Sequence, residues 1–328
     1  MIPKALFSAL LASLIGSCLL TAKLGRASEP IPADVAAAYT VTTPSPPTEQ
    51  ELEGDSLYRF VMHHATTPYL STPTAPNLAR WRGGKQSICP MTAGLVPGEN
   101  AFVTARLRAL AAYVGAPAQS SPQCKPNVRI LFTSNPQESM DEVMNWATAP
   151  GNFGTRYSGE MKNLLAYASG HAIQGWYMTT SSGPLVLNTD VALAGLDVEP
   201  VWPQFAQSLS DVNRVGTRLD DSRASGSGIG VVILIVDTAK IAGYSIGTIA
   251  DYLAMLSLSV AQSPDHCDPL PSILDLMSSS CGGRAKPTAI TAGDLAFLKA
   301  LYYRNTGLGV ALRRAAVANN MMRQLERR

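Results

Sequence analysis

A chain of 328 residues that is 46% hydrophobic and 15% charged is long enough to bury one large core or two modest ones. It is too poor in charge for a disordered tail or a charge-laced long helix. With 26 Lys and Arg against 24 Asp and Glu, it exerts no long-range pull on nucleic acid or anionic lipid, so nucleic acid is not an expected partner.

Met1 to Ala27 reads as an export signal. Lys4 gives the positive start, Ala5 to Ala22 is an unbroken apolar and small-residue run, and Gly25 and Ala27 supply the small residues of a cleavage site. Two other readings stand beside cleavage. The run is long enough for a retained membrane anchor, and Leu14-Ile15-Gly16-Ser17-Cys18 resembles a lipobox that would put a lipid on Cys18. Against the lipobox, Leu19 and Leu20 prolong the apolar run. The expected location is secreted or periplasmic, with the membrane reached only through this segment if it is uncleaved or lipidated. Residues 28–55 carry Pro30, Pro32, Pro44, Pro46 and Pro47 among Thr, Ser and Glu, and read as a linker. Residues 56–328 are expected to form an α+β domain.

Folded sequence is expected to start near Leu57. Phe102 to Val114 has helical spacing, with Phe102, Val103, Leu107, Leu110, Ala111 and Val114 on one face and Gly115 at its end. Asn127 to Thr133 is a short apolar run of strand type. Asn135, Pro136 and Glu138 then open a helix. Ser158 to Ala168 is a weaker helix, and Ala172 to Thr180 reads as a strand that Leu185 to Leu187 would join across a turn. Ser225 to Gly230 is a glycine–serine turn before Ile229 to Val236, an apolar run of buried-strand type. Ser245 caps a helix to about Val260, Pro264 to Pro271 is a loop, and Thr291 caps a helix with Asp294 three residues on. Leu308 to Arg328 is a final helix with a basic end.

Outside the leader there are four cysteines, Cys89, Cys124, Cys267 and Cys281. An even number in an oxidising compartment predicts two disulfides, and sequence neighbours are the expected pairs, Cys89–Cys124 and Cys267–Cys281. None has a C-x-x-C partner, so no zinc–thiolate site is expected.

Gly243-Tyr244-Ser245-Ile246-Gly247 fits G-x-S-x-G, the nucleophile elbow of serine hydrolases. The elbow needs its serine directly after a strand, and here Asp237 to Ala242 intervene. The histidine available downstream is His266, flanked by Asp265 and Asp268. The structural alternative for Ser245 is a helix N-cap. Gly226-Ser227-Gly228-Ile229-Gly230 precedes a strand and opens no helix, so it is not a dinucleotide fingerprint. His63, His64, His171 and His266 lack chelating spacing, and Asp220-Asp221 lacks that of a calcium loop. Arg80-Trp81-Arg82 with Lys85 reads as a solvated basic–aromatic loop.

One order of elements resembles a known family. A strand, Val231 to Asp237, leads to a helix, Ile249 to Leu258. Pro271-Ser272-Ile273-Leu274-Asp275 comes next, and then Ile290-Thr291-Ala292-Gly293-Asp294 running on to Leu301-Tyr302. Over residues 228–305 this is similar to the catalytic half of zincin metalloproteases of the metzincin kind. They carry H-E-x-x-H-x-x-G-x-x-H on such a helix, then a Ser-Ile-Met-type turn and a Thr-x-x-Asp…Leu-Tyr helix. The whole chain also looks like uncharacterised secreted proteins of alphaproteobacteria, with Trp81, Ile88-Cys89-Pro90 and Cys124-Lys125-Pro126-Asn127 in similar places. The resemblance implies a zincin-like mixed sheet with packed helices.

It also implies a departure. Ala250 and Ala254 stand at the first two zinc-histidine positions, Asp251 at the general-base glutamate, Ser257 at the glycine and Val260 at the third histidine. Alanine and valine have no lone pair to give a metal. The resemblance therefore implies an exported pseudoenzyme without metal or other cofactor, with a binding or cell-envelope role and an envelope protein or peptide as its partner class. The alternative function is a secreted serine hydrolase using Ser245 and His266.

Overall fold

The computed structural model describes residues 54–66, 78–83, 87–121, 124–148, 171–180, 228–260, 267, 270–303 and 310–327. All fall in one unit, Pro32–Arg328. The leader, the weaker helix at 158–168, the Leu185–Leu187 segment, Asp220-Asp221 and His266 lie outside the described residues.

The elements in chain order are α1 (Gly54–His64), β1 (Pro90–Ala93), α2 (Pro97–Val114), β2 (Val128–Thr133), α3 (Pro136–Thr148), β3 (Ile173–Thr180) and β4 (Gly228–Asp237). They continue with α4 (Ile246–Leu258), a 3-10 turn (Ile273–Met277), α5 (Ala292–Tyr302) and α6 (Val310–Leu325). Helices plus a mixed sheet make this an α+β fold. Among the described residues no helix is long and apolar enough to cross a membrane.

Among the described residues, four strands run in the order β1-β2-β4-β3. β1, β2 and β4 are parallel, with Thr92 opposite Ile130 and Ile130 opposite Leu234. β3 is antiparallel to β4, with Trp176 opposite Ile233. β4 is a continuous apolar run because both its faces are covered. Val232, Leu234 and Val236 enter the main core, while Val231, Ile233 and Ile235 are buried on the other side. The main core joins this sheet face to α1, α2, α4, α5 and α6. α3 packs on β4, with Met140 and Val143 buried.

Several boundaries differ from the sequence reading. α2 starts at Pro97, five residues before Phe102, because proline is favoured in the first turn of a helix. α1 begins at Gly54, two residues inside the expected linker, and buries Leu57, Phe60 and Val61. The strand β4 starts at Gly228, so Gly228 to Gly230 belong to the sheet rather than to a turn.

β1 was not legible at all. Pro90-Met91-Thr92-Ala93 has neither alternation nor a β-branched run, and pairing with β2 makes it a strand. Gly94 ends it at φ 94°, where an added Cβ would sit 1.9 Å from the Phe132 carbonyl oxygen. Only glycine allows that approach.

Both disulfides are present, Cys89–Cys124 with Cα atoms 6.0 Å apart and Cys267–Cys281 with Cα atoms 5.3 Å apart.

Candidate functional site

The residues singled out by the zincin resemblance lie on or just after α4. This helix starts at Ser245, whose backbone is extended and whose Oγ accepts a hydrogen bond from the Thr248 amide at 3.1 Å. Ser245 Oγ is also 2.8 Å from Thr248 Oγ1. The Thr248 hydroxyl spends its single hydrogen on the Thr288 carbonyl at 2.6 Å. The hydrogen between the two hydroxyls therefore comes from Ser245. The Ser245 hydroxyl is thus engaged at the helix start as both donor and acceptor, which is how a serine satisfies an orphan amide there.

Asp251 is buried and faces α2. Arg106 donates to it twice, Nε to Oδ1 at 2.6 Å and Nη2 to Oδ2 at 3.2 Å, and the Ile290 amide donates to Oδ2 at 2.9 Å. Arg106 is itself 8% exposed. The carboxylate thus ties α2, α4 and the segment before α5 together. Ala250 and Ala254 are completely buried in the main core, and Val260 is 1% exposed. Ser257, which the resemblance would set at the zincin glycine, donates its hydroxyl to the Leu253 carbonyl at 2.7 Å.

The C-terminal end of α4 is buried, so its carbonyls cannot turn to water and need donors from the protein. Four side chains from four places supply them. Tyr177 on β3 donates to Leu256 O at 3.1 Å, and Trp81 Nε1 to Ser257 O at 2.7 Å. Tyr302 on α5 donates to Leu258 O at 2.6 Å, and Thr66 to Val260 O at 3.0 Å. Burial pushes the Tyr302 hydroxyl well above the ordinary phenol range, so it stays a donor.

Beyond α4, two capping boxes interlock. Ser272 and Asp275 cap the 3-10 turn, and Thr291 and Asp294 cap α5. Asp294 also accepts from Ser272 Oγ at 2.6 Å and from the Ile273 amide at 2.8 Å, while Thr291 Oγ1 donates to Pro271 O at 2.9 Å. Burial raises the Asp294 pKa, opposed by the bonds it accepts from Ser272, Ile273 and Thr291.

Other sequence candidates fall elsewhere. The Arg80–Arg82 segment is not a solvated loop. Trp81 is 1% exposed, and Arg80 Nη1 donates to the Leu301 and Tyr303 carbonyls at 3.0 and 3.2 Å. The reason is the buried helix end beside it, which needs an indole donor. His64 is buried against Phe60, with ring centroids 4.3 Å apart. His171 lies just before β3.

The one cluster of metal-ligand type among the described residues is Cys267, Asp275 and Cys281, whose ligand atoms lie within 4.8 Å of one another. Its two sulfurs are bonded to each other.

The Arg106–Asp251 pair escaped the sequence reading. Its signal was an arginine inside the apolar stripe Val103-Leu107-Leu110 and an aspartate inside the stripe of α4. Each is out of place alone and explained only by the other.

A zinc ion is the group the zincin resemblance would bring, and these residues do not fit one. The three ligand positions carry hydrocarbon, and the carboxylate between them is held by a bidentate arginine. In comparison with known proteins, the chain matches no family model, no curated protein and no solved structure.

Proposed function

We propose that this chain is an exported, zincin-like protein that has no catalytic metal and acts by binding an envelope protein or peptide. The observation that carries the reading is the state of α4: Ala250 and Ala254 sealed in the core and Asp251 engaged by Arg106 and the Ile290 amide. A general base needs a carboxylate placed to take a proton from a reacting group, and this buried carboxylate is already committed to three donors. The mixed sheet with its antiparallel edge strand, followed by a strand–helix step, supports the zincin-like part of the reading. The two disulfides support export, since such bonds persist in oxidising compartments.

The serine-hydrolase reading gains no support from Ser245, whose hydroxyl is engaged with Thr248.

Two measurements on protein purified without chelator test the proposal. Elemental analysis is expected to find zinc far below one ion per chain, and a fluorophosphonate probe is expected to leave the protein unlabelled. Stoichiometric zinc, or labelling that vanishes in Ser245→Ala, would overturn it.

A further inference from the structure

The two disulfides differ in the charges beside them: a guanidinium at Cys89–Cys124, and a carboxylate paired with an arginine at Cys267–Cys281. Cys124 is half-buried on the surface side of its bond, while Cys89 is 1% exposed. The guanidinium of Arg108 on α2 points at the more accessible sulfur, with Nη2 3.7 Å from Cys124 Sγ. Arg108 Nε is buried and makes no hydrogen bond among the described residues, so the group holds unspent donor capacity beside the sulfur. Exposed Lys125 is the next residue in the chain. At the other bond the neighbour is a carboxylate: Asp275 lies within 4.8 Å of both sulfurs, with Arg284 3.6 Å away from it.

A cation beside a sulfur lowers the thiol pKa and draws in an attacking thiolate, whereas a carboxylate does the reverse.

The backbone of Cys89 is also held by hydrogen bonds that do not involve its sulfur. The Cys89 amide donates to Asn127 Oδ1 at 2.7 Å. Its carbonyl accepts from the Asn127 and Val128 amides at 3.0 and 3.2 Å, and the parallel pairing of β1 with β2 begins at the next residue. The strand is therefore held without the covalent link.

We propose that Cys89–Cys124 is a redox-active disulfide that exchanges with an external dithiol, with Arg108 as its positioning cation, and that Cys267–Cys281 is a structural link. A thiolate of the dithiol attacks Cys124 Sγ, forming a mixed disulfide. The bond to Cys89 breaks, and its electron pair stays on Cys89 Sγ, which takes a proton. The second thiol of the dithiol then attacks its own bonded sulfur and releases Cys124 as a thiolate facing Arg108. The dithiol is oxidised by two electrons and the Cys89–Cys124 bond is reduced by two. This proposal is independent of the zincin-like reading.

The test treats the folded, full-length protein with dithiothreitol in the absence of denaturant, blocks free thiols at intervals with N-ethylmaleimide, and measures each cysteine by mass spectrometry. Cys89–Cys124 is expected to open at least about tenfold faster than Cys267–Cys281. Arg108→Gln should slow the first bond and leave the second unchanged, with Arg108→Lys restoring part of the rate. In the reduced wild-type protein, the pH profile of Cys124 alkylation should have its midpoint below the ordinary thiol value of about 8.5. This readout does not depend on any variant folding. Equal opening of both bonds, earlier opening of Cys267–Cys281, or a midpoint at or above the ordinary value would overturn the assignment.

Discussion

The hydroxyl of Tyr302 donates to the carbonyl oxygen of Leu258 across 2.6 Å, joining the last turn of α5 to the last turn of α4. Neither end of this bond reaches water, so the bond satisfies a carbonyl that helix geometry leaves without a partner. With Trp81, Tyr177 and Thr66 on neighbouring carbonyls, it makes the end of α4 a buried junction of elements far apart in the chain.

Tyr302→Phe keeps the ring and removes the hydroxyl, which donates to Leu258 O and accepts from the Trp81 amide at 3.5 Å. The Leu258 carbonyl is left buried and unpaired, at an expected cost of about 1–3 kcal/mol. Urea unfolding should show a lower midpoint with an unchanged slope. An unaltered midpoint would mean that another donor takes the place of the hydroxyl.

The Arg106–Asp251 pair should behave as a buried ion pair. Removing one partner, as in Arg106→Ala, leaves an uncompensated charge in the core and is expected to destabilise by about 3–5 kcal/mol. Replacing both by apolar residues, Arg106→Met with Asp251→Leu, should cost much less than the sum of the single changes. A double-mutant cycle measures the coupling, and additive effects would contradict the pairing.

Asp294 gives a pH dependence with a definite sign. Burial raises its native pKa above the ordinary carboxylate value of 3.8, so the native state binds this proton more tightly than the unfolded chain. Its contribution to stability is complete below the unfolded value and is lost as pH rises through the native one. The stability of the wild type relative to Asp294→Asn should therefore fall with rising pH, read as the difference in urea midpoints across a pH series. A difference that grows with pH would show instead that the hydrogen bonds to Asp294 outweigh its burial.

Local signals were legible where one segment carries them complete. Ser245 and the Thr291–Asp294 box were readable because an N-cap is made by residues three apart. β4 was readable because burial on both faces leaves an apolar run without polar breaks. Trp81 was misread as part of a solvated loop because its partner, the Ser257 carbonyl, lies 176 positions away in sequence. The four residues of β1 escaped notice because a short strand holding a proline has no pattern of its own.

The amino-acid order alone determined the helix starts on α4 and α5, the buried strand and the hydrocarbon side chains of Ala250, Ala254 and Val260. These come from side-chain chemistry and near-neighbour spacing, which need no third dimension. Tertiary structure alone decided that Asp251 faces Arg106, that Trp81 and Tyr302 close the end of α4, and that Arg108 stands over Cys124. Each is a meeting of groups distant in sequence. Partners of that kind are chosen by the burial of polar atoms that folding removes from water, and that choice leaves no local trace in the chain.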